Sequence, residues 1–92
     1  MLSRIEDEVE LLERHIEILK LVIENEPIGI IKLSEMSGTP QHKIRYSLRV
    51  LEQNEMIRPS HRGAVTTEKA KQFLMGLSEK IDKLVGRIQK LK

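Results

Sequence analysis

Apolar residues fall at Leu2, Ile5, Val9, Leu12, Ile16, Leu19 and Ile23, alternately three and four positions apart. That spacing predicts an amphipathic helix from about Arg4 to Glu24. Ser3 with Glu6 three residues on is the pattern of a capping box, and Glu6, Asp7 and Glu8 suit the positive end of the helix. Leu11, Ile18, Leu21 and Val22 widen the stripe, so the C-terminal half is expected to be buried on more than one side. Pro27 disfavours helical geometry at Glu26, and Gly29 permits a turn.

The pattern then shortens. "IIKLSEMSG" predicts a second helix over about Ile31–Ser37 that stops at Gly38, with Ile28–Ile30 open to a short strand. "TP" predicts the start of a third helix, capped by Thr39 with Pro40 in its first turn and running to about Asn54. Ile44, Leu48 and Leu51 form its buried stripe, with the small Ser47 beside them. "MIRPS" and "AVT" read as two short strands around the turn "SHRG", and Pro59 points to an edge position. Thr66 or Thr67 caps a last helix that can reach Lys92. In it Leu74, Leu77, Ile81, Leu84, Ile88 and Leu91 again alternate at three and four, a heptad seam with Leu or Ile at a and Leu at d. Gly76 and Gly86 interrupt this helix at about 1 kcal/mol each against Ala, which fits either a close helix contact or a bend.

Ninety-two residues suit one small domain whose thin core gains from a partner subunit. The composition, 39% apolar and 33% charged, is that of a folded chain. With one Phe, one Tyr, no Trp and no Cys, aliphatic side chains must make the core, and thiolate or disulfide chemistry is excluded. The acidic opening lacks the features of a secretory signal, and no apolar run is long enough to span a membrane, so a cytoplasmic protein is expected. The overall charge of +2 hides a polarity: net −5 over residues 1–26 and net +7 over residues 27–92. The basic part needs an acidic counterpart, either nucleic acid or the acidic helix of the same or a second chain.

The third helix carries His42, Arg45, Tyr46 and Arg49 opposite its apolar stripe, with Gln41 and Lys43 at the edges. The hairpin is tipped by His61 and Arg62. Arg or Lys can pair with guanine and Gln with adenine in the major groove, while most other contacts go to phosphate. Thr39 and the first amides of that helix offer a phosphate site. From about Glu17 to Leu74, through "IGIIKLSEMSGTPQHKIRYSLRVLEQNEMI", "RPSHRGAV" and "TTEKAKQFL", the chain resembles the winged helix-turn-helix regulators of archaea and bacteria. Its long flanking helices are similar to those of archaeal dimeric members. The resemblance implies a mainly α fold with a small β-hairpin: an N-terminal helix (1–24), a helix-turn-helix and wing (25–67) and a C-terminal dimerisation helix (68–92). It implies double-stranded DNA as partner and a homodimeric, sequence-selective transcriptional regulator, with a recognition helix over Pro40–Asn54 and a wing over Ser60–Gly63. Where relatives often have Gly before the first wing strand, this chain has Asn54 and Glu55, and Asn54 is expected to take the left-handed conformation.

Other chemistry is not signalled. The three His lie in three different elements, and no metal-binding, phosphate-loop or nucleophile-elbow motif occurs, so no enzyme activity, metal or cofactor is expected. His15 is most simply a surface or interface residue, and nothing marks an effector pocket. Two rival readings stand beside the regulator: an architectural protein coating DNA without site preference, and a protein-interaction module whose basic face meets protein. On assembly, Leu2–Val9 and Ile81–Leu91 extend beyond any core this chain can form and would be exposed unless covered. Leu74, Leu77, Ile81, Leu84, Ile88 and Leu91 are therefore the expected dimerisation residues, with the last helix at the centre and the first packed around it.

Overall fold

The computed structural model describes all residues, 1–92. It has four helices and one two-stranded antiparallel sheet: α1 (Leu2–Asn25), α2 (Ile30–Ser37), α3 (Gln41–Gln53), β1 (Ile57–Arg58), β2 (Val65–Thr66) and α4 (Glu68–Gln89). The expected mainly α architecture with a small hairpin is present. No helix is long and apolar enough to cross a membrane.

α1 differs from expectation at its start. Helical geometry begins at Leu2, so Ser3 is already inside the first turn and no side chain caps the helix; the predicted capping box does not form. The wide C-terminal stripe behaves as read: Ile18, Leu19 and Val22 are fully buried. Glu26 is extended and ends α1. Ile28 then exchanges two backbone hydrogen bonds with Ala64, at 3.2 and 2.7 Å, so the expected strand at 28–30 reduces to one bridge on the edge of the hairpin.

α2 stops where its glycine predicts. Gly38 adopts the left-handed conformation at φ 72°, and its N–H bonds the Ser34 carbonyl. α3 is entered differently from expectation. Pro40, still extended, occupies the N-cap, and no side chain caps the helix, so Thr39 is not its cap. Thr39 instead closes the α2–α3 turn: the Ser34 hydroxyl donates to its carbonyl at 2.6 Å, and its N–H donates to the Ser37 hydroxyl at 3.1 Å. α3 ends at Gln53. The left-handed residue of the following turn is Glu55 (φ 60°), not Asn54 (φ −91°).

β1 and β2 pair Ile57 with Thr66 and Arg58 with Val65. Thr67 caps α4 as read, accepting the Ala70 N–H at 3.2 Å, while its own hydroxyl donates to the Glu55 carbonyl at 2.7 Å. A threonine meets both needs because its oxygen accepts and donates at once. Ile18, Leu19, Val22, Ile28, Leu33, Ile44, Leu51, Ile57, Ala64 and Ala70 form one core, flanked by Leu48, Met56, Phe73 and Leu74. α4 leaves this core after its first turns. Leu74 and Leu77 are half-buried, and the remainder of the seam is open. Both glycines of α4 lie within a continuous helix, and a Cβ at either would meet nothing within 4 Å.

Candidate nucleic-acid interface

α3 packs Ile44, Ser47 and Leu51 inward. One residue of each turn is thereby fixed, and the helical period turns His42, Arg45 and Arg49 outward. All three are exposed, and neither arginine has an ion-pair partner; the chain's ion pairs are Lys32–Glu35, Lys69–Glu55 and Lys83–Glu79. Gln41 and Arg45 share a shallow depression with Gly29–Lys32 and Glu35 of the α2 side.

Tyr46 and Ser47 meet α1. The Arg14 Nε–H donates to the Ser47 hydroxyl at 3.1 Å, and His15 Nδ1 lies 2.8 Å from the same oxygen. The two side chains together satisfy a serine hydroxyl that is wholly buried. The Tyr46 ring lies 5.8 Å from the His15 ring, tilted by 44°, with the Arg14 guanidinium 6.0 Å from its centre. Burial, then the Arg14 charge, lowers the His15 pKa from its ordinary 6.5, with Glu8 opposing. Adjacent residues of α1 thus clamp adjacent residues of α3. Tyr46 touches this clamp with one side of its ring and remains 44% exposed. Sequence reading left this pair of contacts out, although His15 shares a helix face with Ile18 and Leu19, and that spacing is a signal for burial.

Lys43 and Thr39 face a different surface. Together with Gly38 and Pro40 they line a depression of about 260 Å³ whose other wall is Glu10, Glu13, Arg14 and Glu17 of α1. Three carboxylates beside the N-terminus of α3 counter its attraction for a phosphate.

The hairpin tip is a tight turn. Ser60 and Gly63 exchange backbone hydrogen bonds at 2.9 and 3.2 Å, and the Arg62 N–H donates to the Ser60 hydroxyl at 3.3 Å. His61 and Arg62 are exposed on it. Between hairpin and α3 runs a groove of about 260 Å³ lined by Leu48, Glu52, Ile57, Pro59 and Gly63 among others, so the tip adjoins the outer edge of α3. Arg58, not among the expected contacts, is exposed on β1 with no ion-pair partner. The in–out alternation of Ile57 and Arg58 is the signal that points to it.

Arg45 and Arg49 stand exposed on α3 and Arg62 on the hairpin tip, while Arg58 lines a separate depression of about 520 Å³ with Glu52, Glu55 and Glu68. The structure sets Lys43 and Thr39 against an acidic wall and engages Tyr46 with α1. No group of His, Asp or Glu is arranged to hold a metal ion. No family model and no curated protein matches this sequence.

Proposed function

We propose that this chain binds double-stranded DNA as a homodimeric, sequence-selective transcriptional regulator of the winged helix-turn-helix type. α3 is its recognition helix and the 60–63 turn its wing. The observation that carries this reading is the pair of exposed arginines on α3, Arg45 and Arg49, and Arg62 on the hairpin tip, none of them in an ion pair. Exposed guanidinium groups left without an ion pair in their own chain suit a polyanion. The helix supplies major-groove contacts through Gln41, His42, Arg45 and Arg49, and the wing supplies backbone contacts through His61 and Arg62.

Binding to random and selected duplexes over a salt series tests it. Arg49→Ala should relax preference at one base pair, costing about 1–3 kcal/mol on the selected site, if Arg49 reads a base edge. If Arg49 meets only phosphate, all sequences should weaken alike and the salt slope should fall by about one. Absence of salt-dependent binding at micromolar protein would exclude the proposal.

One observation favours a second reading. Glu10, Glu13 and Glu17 crowd the α3 N-terminus, where a DNA reader gains from a phosphate. A protein-interaction module carries no such conflict. Charge reversal at Arg45 and Arg49 that abolishes a protein pull-down but leaves DNA affinity unchanged would select it.

A further inference from the structure

The N-terminal half of α1 and the C-terminal half of α4 each carry an apolar stripe that this chain leaves in water. Leu2, Ile5, Val9 and Leu12 are between 41% and 67% exposed, and Ile81, Leu84, Ile88 and Leu91 between 40% and 84%. The two stripes have the same length and the same alternate spacing of three and four. They do not cover each other within the chain.

Charge arrangement specifies what covers them. With Leu2, Val9 and Ile16 as the a positions of α1, Glu6 and Glu13 fall at e and Glu8 at g. With Leu74, Ile81 and Ile88 as the a positions of α4, Lys80 and Arg87 fall at g and Lys92 at e. In a parallel pair of helices, g residues of one meet e residues of the other. Setting Leu2 against Ile81, Ile5 against Leu84, Val9 against Ile88 and Leu12 against Leu91 buries every exposed residue of both stripes. It also places Glu6 by Lys80, Glu13 by Arg87 and Glu8 by Lys92. None of these six is in an ion pair within the chain. The antiparallel alternative leaves Glu8 by Arg87 alone and sets His15 by Lys80. Pairing α1 with its own copy opposes carboxylates, and pairing α4 with its own copy sets Arg87 by Lys92.

A single chain cannot make the parallel pair. Leu12 and Phe73 line the same cleft at the base of the two helices. Ile88 lies about 22 Å further along α4 than Phe73, whereas Val9 is less than one turn from Leu12. Val9 and Ile88 therefore meet only between molecules.

We infer that a second copy of this chain lays its α4 parallel to α1 in this register, reciprocally, so that four helices form a bundle with one globular body at each end. The exchange is isologous, since each copy gives one α1 and one α4 to the same kind of pair. This inference rests on the dimeric part of the proposed function and assigns its interface.

The chain has no cysteine, which makes disulfide trapping direct. Leu2→Cys with Ile81→Cys should give covalent dimers on mild oxidation. Leu2→Cys with Leu91→Cys, which reports the antiparallel arrangement, should not. All three positions are exposed in one chain, so folding of the variants is checked by circular dichroism alone. Dimers by sedimentation without the Leu2–Ile81 cross-link would overturn this pairing and leave a dimeric DNA binder standing. A monomeric wild type at tens of micromolar would overturn the pairing and the dimer together. Covalent dimers that bind no DNA would support the pairing and remove the proposed function. As a second readout, E6K/E13K and K80E/R87E should each weaken dimerisation on the order of tenfold, and an equimolar mixture of the two should recover it. Failure of the mixture to recover would overturn the assignment.

Discussion

Glu55 holds a backbone conformation that L side chains pay for, at about 1–2 kcal/mol. It stays there because its neighbours need it: its carbonyl receives the Thr67 hydroxyl and its carboxylate lies 3.1 Å from Lys69. That ion pair is largely exposed and worth about 0–1 kcal/mol. Glu55→Gly removes the strain, loses the pair and adds about 0.5–1 kcal/mol of chain entropy to the unfolded state. The balance should favour glycine slightly, raising the melting temperature by about 2–4 °C in calorimetry. A lower value would show that the Lys69 pair outweighs the backbone. Gly63 is the opposite case. Its φ is 127°, and a Cβ there would overlap the Ile28 carbonyl group and crowd the Gly29 nitrogen, which are backbone and cannot turn aside. Gly63→Ala should cost at least about 2 kcal/mol by denaturant unfolding, because it breaks the Ile28–Ala64 bridge as well as the turn.

Among the elements, those set by local chemistry were legible. Gly38 ends α2, Thr67 starts α4 and the Ile44–Ser47–Leu51 stripe faces the core because each depends on residues a few positions apart. The α1 start was misread: Ser3 and Glu6 have capping-box spacing, but one helical residue before Ser3 is enough to void it. Thr39 was misread because the α2–α3 turn uses its backbone groups, which composition does not reveal. The contacts of Arg14 and His15 with Tyr46 and Ser47 are not legible because the crossing of α1 over α3 decides who meets whom, and periodicity carries no crossing angle. That clamp makes a pH prediction. His15 has a lowered native pKa, so between that value and 6.5 the unfolded chain binds more protons than the folded one. Stability is then complete above about 6.5, falls as pH drops toward the native pKa, and levels off below it. The measurement is a difference: the melting temperature of wild type minus that of His15→Gln, from pH 8 to pH 5. The difference should shift against the wild type on acidification. A flat difference would show that the imidazole binds its proton as readily in the fold as outside it.

At the scale of the whole molecule, the body is small and the two long helices carry apolar surface away from it. Only 12 of the 92 residues are buried, while the extents are 49 × 27 × 21 Å. So few buried side chains leave a single copy marginal. If Ile81, Leu84 and Ile88 are covered by a second copy, folding and association share one free energy, and stability depends on protein concentration. A hundredfold rise in concentration then adds about 2.7 kcal/mol per dimer, or roughly half that per chain. For a domain of this length the melting temperature should rise by roughly 5–10 °C between about 1 and 100 μM. Ile81→Asp with Ile88→Asp puts a carboxylate at two points of the seam, where desolvation without a partner is costly. Both residues are exposed in a single copy, so the body itself loses no core contact. The double variant should therefore melt at one temperature whatever its concentration, and that temperature should match the dilute limit of the wild type. It should also weaken DNA binding more than Arg49→Ala does, since two half-sites are no longer held together. A wild type whose melting temperature ignores concentration and which sediments as a monomer would place the stripes of α1 and α4 in water and remove the dimer from the account.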